Sequence, residues 1–193
     1  MIYLVRMRPK FRAAAVALVL VGALSASGCA PEAPVADPTP TPRATPLFAS
    51  DEEALAAAEE AYAAYLAVTD EIFADGGNDV AALSTVATGK QLSDDTAGFF
   101  EIRERGYRSV GSTSFTEIEL QQYEADADAL QSVATVYLCE DVSQIDVFDG
   151  GGVSVVQPDR PDRTKFEVTF DRSGSSSAGL LVASREVWAG GAC

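Results

Sequence analysis

The chain contains no histidine. That absence removes Ser-His-Asp and Cys-His catalysis, histidine-ligated zinc and haem, and imidazole proton relays. Basic charge is scarce: 14 Lys and Arg stand against 29 Asp and Glu, a net charge of −15 over 193 residues. Phosphate binding needs a basic face, so nucleic acid is not an expected partner. Cysteine is limited to three residues, with no Cys-x-x-Cys pair suited to redox exchange. No Ser-x-x-Lys motif occurs, and Gly150-Gly151-Gly152 is followed by neither Lys-Ser/Thr nor a helix pattern, so it is no phosphate loop. Metal, haem and nucleotide cofactors are therefore not expected. What the chain does have is apolar material: 47 % of its residues, enough for a sizeable core.

The N-terminus reads as a targeting segment. Arg6, Arg8, Lys10 and Arg12 form a basic stretch, followed by the twelve-residue apolar run Ala13 to Leu24. Such a run fits the signal-peptide range of about 7–15 residues and falls short of the roughly 20 that span a bilayer. Small residues follow, Ser25-Ala26-Ser27-Gly28, and then Cys29. The stretch Ala26-Ser27-Gly28-Cys29 resembles the lipobox of bacterial lipoproteins, with Ala26 where Leu is usual. The resemblance implies that residues 1–28 are removed, that Cys29 is lipidated (palmitate among its acyl chains), and that the protein sits on the extracytoplasmic face of the cell membrane. More than one acyl chain meets the requirement for stable anchoring. The alternatives are an ordinary signal peptide cut near Cys29, or an uncleaved anchor helix. Arg6-Met7-Arg8 is not a twin-arginine pair, which points to the general secretory route.

Residues 29–49 then read as a tether. Six of the nine prolines fall here, Pro31, Pro34, Pro38, Pro40, Pro42 and Pro46. Such a stretch favours extended polyproline II, which at about 3.1 Å per residue reaches on the order of 50–60 Å from the membrane. Once the first 28 residues are removed, ten basic residues face 29 acidic ones, a net charge of −19. A domain of that sign is repelled by anionic headgroups and stands off the surface.

Residues 50–193 read as a single α+β domain. Ser50 with Glu53 fits a capping box, and Leu55, Tyr62, Leu66 and Phe73 recur at helical spacing until Gly76-Gly77. Asn78 is placed to cap a short second helix through Val80, Leu83 and Val86; Leu92, Phe99, Phe100 and Ile102 mark a third, ending at Gly106. Strands follow at Tyr107–Val110, Ser112–Tyr123, Leu130–Asp141, Ile145–Phe148, Val153–Val156, around Phe166–Phe170, and at Leu180–Trp188. The apolar parity of the second of these switches near Glu117, as a bulge would cause. Helices followed by a run of strands predict N-terminal helices packed on one face of a curved antiparallel sheet.

This order is similar to that of the nuclear transport factor 2-like cone, as are Val136-Tyr137-Leu138-Cys139-Glu140-Asp141-Val142-Ser143 and the ending Val187-Trp188 to Cys193. Small secreted bacterial lipoproteins carry that fold. Its enzymes use Tyr and Asp inside the cone. No catalytic position carries over to this sequence residue by residue.

With Cys29 taken by lipid, Cys139 and Cys193 are the remaining pair in an oxidising compartment, expected as a disulfide, with two free thiols as the alternative. The acidic pairs Glu59-Glu60, Asp70-Glu71, Asp94-Asp95 and Glu140-Asp141 read as solvated faces. Glu124, Asp126 and Asp128 begin like a calcium loop, but Ala129 stands at its glycine position and Thr135 at its closing glutamate, which favours an acidic turn. Tyr62, Tyr65, Phe99, Phe100 and Trp188 are candidate lining for a cone cavity, against the alternative that they are core. Arg103, Arg105 and Arg108 suit a helix C-terminus, or else an anion. The expected function is a lipid-anchored, non-catalytic binding or interaction module. Its partners would be the membrane, through the lipid, and a small apolar ligand or an envelope protein. The alternatives are an enzyme using Asp/Glu and Tyr in the cone, or a structural subunit of an envelope complex.

Overall fold

In the computed structural model the described residues are 46–127, 132–174, 176, 178–191 and 193. Cys29, the apolar run before it, most of the tether, and Asp128 of the acidic turn lie outside them. Helix α1 spans Asp51–Ala74 and α2 spans Gly89–Arg105. Six strands follow: β1 Arg108–Val110, β2 Ser114–Tyr123, β3 Ala134–Asp141, β4 Asp146–Phe148, β5 Arg163–Arg172 and β6 Leu180–Val187. The protein is α+β, with antiparallel pairing in both of its sheets. Among the described residues no helix is long and apolar enough to cross a membrane.

Ser50 caps α1, its hydroxyl accepting from the Glu53 amide at 3.3 Å. The reciprocal half of the box is shifted by one residue: the Ala49 amide, not that of Ser50, donates to the Glu53 carboxylate at 2.7 Å. Between the helices, Val80–Thr85 is a 3₁₀ turn rather than the α-helix the spacing suggests. Asn78 does not cap it. Its side-chain amide donates back to the Asp75 carbonyl, and Asp79 holds the cap position. Helix α2 runs unbroken through Gly98 and ends on left-handed Gly106.

The main sheet has the order β2-β3-β5-β6, and β1 pairs with β4 in a separate two-stranded sheet. Among the described residues β2 and β6 do not pair, so the main sheet is not a closed barrel. Glu117, at a positive φ of 56°, sits in the β2 bulge, where the register against β3 jumps between Thr116 and Glu119. The β2–β3 register shifts again between Leu120 and Gln122, and a third slip, between Thr169 and Phe170, is taken up on β6 around Ala183. Val153–Val156 does not become a strand; only a bridge between Ser154 and Phe148 forms there.

On the helix-facing side of the sheet, Val136, Leu138, Val168, Phe170 and Val182 are fully buried against Ala58, Tyr62 and Leu66 of α1. Burial of each large apolar side chain contributes about 1.5–3 kcal/mol before conformational entropy is subtracted. A smaller cluster, Ile72, Leu83 and Phe99, joins the end of α1 to the 3₁₀ turn and α2. Gly77 makes that junction possible: its φ is +79°, and a Cβ there would run into the Phe99 carbonyl. Leu47 and Phe48, placed with the tether in the sequence, pack on the main core, and the Phe48 amide donates to the Tyr123 hydroxyl at 2.8 Å.

The outer face is closed differently. Cys139 and Cys193 form the expected disulfide, with Cα atoms 5.6 Å apart. The tail reaches it by folding over the sheet: the Trp188 amide donates to the Lys165 carbonyl, and the Trp188 ring stacks on Tyr137 with centroids 4.5 Å apart.

Candidate functional site

Helical spacing and strand parity bring one set of polar side chains together. Tyr62 and Tyr65 lie three apart on the buried face of α1, their rings stacked 5.6 Å apart. Gln91, Asp95 and Phe99 follow at intervals of four on the inner face of α2. Glu140 continues the inward parity of Ala134, Val136 and Leu138 on β3, and Arg185 of β6 pairs across to inward-facing Val168.

These residues form two linked networks. In the deeper one Glu140, only 6 % exposed, accepts from the Arg185 Nη2 at 2.7 Å and Nε at 3.1 Å. The Tyr62 hydroxyl donates to the same carboxylate at 2.6 Å and accepts from Arg185 Nε at 3.2 Å. The guanidinium lies over the Phe166 ring, 3.8 Å from its centroid. Burial, and then the Glu140 charge, push the Tyr62 hydroxyl well above its ordinary pKa, so it stays a proton donor. The guanidinium stays charged: burial opposes its charge, but Tyr62 and Glu140 outweigh that and raise its pKa.

The shallower network surrounds Asp95. The Tyr65 hydroxyl donates to it at 2.9 Å, and the buried Gln91 amide donates to it at 2.8 Å and to the Tyr65 oxygen at 3.0 Å. Burial raises the Asp95 pKa despite those hydrogen bonds. Burial and Asp95 together hold Tyr65 protonated. Nearby, Asp70 accepts from the Thr113 amide at 2.7 Å and hydroxyl at 2.8 Å.

Both networks open onto one cleft of about 320 Å³ between α1, α2 and the end of the sheet, open to solvent on one side. Leu66, Phe73, Phe99 and Ile102 supply apolar wall; Asp70, Asp94, Asp95, Glu140 and Arg185 supply charge. The volume falls in the range of small-molecule sites, about 300–1,000 Å³. Among the described residues no cluster of His, Cys, Asp or Glu is arranged to hold a metal ion.

No protein-family profile matches the chain, and no curated protein matches it. Likenesses among solved structures include the following two. The intermembrane-space region of the chloroplast protein ARC6 aligns with a TM-score of 0.49 and 14 % identity, over 69 % of this chain and 95 % of that one. A de novo designed β-sheet protein aligns with a TM-score of 0.28 and 15 % identity, over 67 % of this chain and 86 % of that one. Neither bears on the chemistry of the cleft.

Of the five aromatic residues expected to line a cavity, the structure brings Tyr65 and Phe99 to the cleft. Tyr62 lies beneath it, fully buried, and reaches Glu140 from below. Phe100 faces the other side of α2, 48 % exposed with Arg103 over its ring, because it is one residue and so about 100° away from Phe99. Trp188 sits on the outer face with Tyr137, because the inward position next to it is Val187, opposite Phe166. The reading of the acidic pairs as solvated fails for Glu140, which is buried, and for Asp70, Asp95 and Asp141, which are half-buried. Arg103, Arg105 and Arg108 do not converge: Arg105 reaches Glu101 at 3.7 Å, and Arg108 reaches Asp75 at 3.8 Å.

Proposed function

We propose that the chain is a lipid-anchored cell-envelope protein, held at the extracytoplasmic face through Cys29, whose domain binds a small ligand without transforming it. The helices on the antiparallel sheet are read here as a nuclear transport factor 2-like cone, with the cleft at its open end. The basic, apolar and small-residue order leading to Cys29 supports the anchor. The observation that carries the binding half is the cleft itself, in which an apolar wall meets a few convergent polar groups. A purely structural subunit would have no use for such an opening.

Two measurements test this. Intact mass and membrane fractionation of wild type and Cys29→Ser test the anchor; equal release of both into the medium overturns it. A thermal-shift panel of chemically diverse small molecules tests the cleft. A rise in melting temperature that Phe99→Ala abolishes supports binding there.

One observation favours a second reading, an enzyme. Asp95 is a half-buried carboxylate with a raised pKa, touching a tyrosine and opening to a cleft, which is where an acid or base is sought. Against it, Tyr65 is held protonated and Glu140 is tied by Arg185 and Tyr62. Turnover of any ester, peptide, glycoside or ketone probe that Asp95→Asn abolishes, with the fold intact, decides for the enzyme.

A further inference from the structure

The charge around the cleft narrows the ligand, on the reading that the cleft is a ligand site. Four carboxylates and one guanidinium line it. Arg185 is consumed by Glu140, and Lys90 holds Asp94 at 2.7 Å from the rim. Asp70 and Asp95 remain. Both are half-buried, and the donors they meet are neutral: a tyrosine hydroxyl and an amide for Asp95, an amide and a hydroxyl for Asp70. A carboxylate has about four lone-pair sites, so two accepted hydrogen bonds leave each of these with unused capacity. Drawing a carboxylate out of water without a cation is costly, and a bound cation offsets part of that cost. Beside them the walls are apolar and aromatic, with Phe73 and Phe99 edge to face and 6.3 Å between centroids. Aromatic faces also attract cations, by about 0.5–2 kcal/mol. The field of the whole chain has the same sign, with 29 acidic residues against 14 basic.

We propose that the cleft takes a small organic cation, its ammonium group on the Asp95 carboxylate with Asp70 adding to the field, its apolar body on the wall of Phe73, Phe99 and Ile102. Neutral compounds of the same shape lose the charge-assisted contact. Anions meet uncompensated carboxylates and are rejected.

The test is titration calorimetry of the mature lipidated chain in neutral detergent, against a detergent blank. Three probes share one body: 2-phenylethylammonium, 2-phenylethanol and 3-phenylpropionate. The ammonium is expected to bind at least about 10-fold more tightly than the alcohol, the equivalent of one charge-assisted contact, and the anion not at all. Asp95→Asn, with Asp70→Asn as a second variant, is expected to erase the difference between ammonium and alcohol, while Phe99→Ala weakens both. Added salt should weaken the ammonium alone. Equal binding of ammonium and alcohol, unmoved by Asp95→Asn, overturns the cation and leaves the cleft as a binding site. If none of the three probes binds, the cation proposal is overturned outright, and the diverse panel above decides separately whether the cleft binds anything.

Discussion

Arg185→Met removes a guanidinium from the centre of the deeper network and leaves a shorter, unbranched apolar side chain against Phe166. Glu140 then keeps the Tyr62 hydrogen bond but loses both contacts to Arg185, at 2.7 and 3.1 Å, in a position only 6 % exposed. Breaking a buried pair from one side costs about 3–5 kcal/mol, because the surviving charge stays buried. The Arg185 side chain is 25 % exposed, so solvent already screens part of the pair, and a loss near 3 kcal/mol at neutral pH is expected. At roughly 3 °C per kcal/mol for a domain of this size, the melting temperature should fall by about 10 °C. Urea unfolding followed by circular dichroism, with the disulfide intact, measures it. The decisive comparison is a double-mutant cycle with Glu140→Gln, whose neutral amide can still accept from Tyr62. The double variant should be more stable than the sum of the two losses allows, with a coupling of about 2 kcal/mol. Additive losses would refute the argument that Arg185 exists to neutralise Glu140.

Three further outcomes are expected. Cys193→Ser frees the tail and opens a loop of 54 residues' separation, which should cost about 2–4 kcal/mol in denaturant unfolding. Gly77→Ala must leave a backbone conformation suited to glycine and drives a Cβ at the Phe99 carbonyl, so it should destabilise by about 2 kcal/mol or more and loosen the Phe99 wall, read as weaker binding of any cleft ligand. Asp95 carries a raised pKa in the fold because of burial, so the native state binds its proton more tightly than the unfolded chain does. Its contribution to stability is present below the unfolded pKa and lost as pH rises through the folded one, so Asp95→Asn should gain on wild type across that interval; a variant that loses ground there contradicts it.

The fold was readable where periodicity runs uninterrupted. Tyr62, Leu66 and Phe73 marked α1, and Phe166, Val168 and Phe170 marked β5, because one face of each meets the core and the other meets water. The bulge in β2 was readable too, since a change of parity at Glu117 leaves no other way to keep Phe115 and Leu120 against the same core. Short segments were not readable. Val80–Thr85 has too few residues for an α-helix to outweigh the cost of nucleation, and it settles as a 3₁₀ turn held by Leu83. Val153–Val156 has the composition of a strand, but its pairing with β4 stops at a single bridge, in which the Asp149 amide donates to the Val153 carbonyl and the Val155 amide to the Val147 carbonyl.

The site was less legible, for reasons that differ from residue to residue. Glu140 carried a signal that local reading passes over: the inward alternation of Ala134, Val136 and Leu138, continued by two residues, places a carboxylate inside. Composition suggests that both members of an acidic pair are wet; parity turns only Asp141 to the outer face. Asp95 was likewise marked by its spacing from Gln91 and Phe99, a stripe whose polar members conceal it from a search for apolar periodicity. Arg185 had no such signal. The extra residue in β6 near Ala183 reverses the apparent parity of everything after it, so sequence alone points Arg185 the wrong way. A buried acid without a visible base is therefore the form in which this network appears to a sequence reader. A buried carboxylate is stabilised by a cation, and for Glu140 the strand with the slipped register supplies it. The same rule, applied to Asp95 and Asp70, finds no cation within the described residues beyond those already engaged. The cleft is thus a place where the charge of Asp95 and Asp70 is left without a cation among the described residues, and that is the ground on which a cationic ligand is proposed.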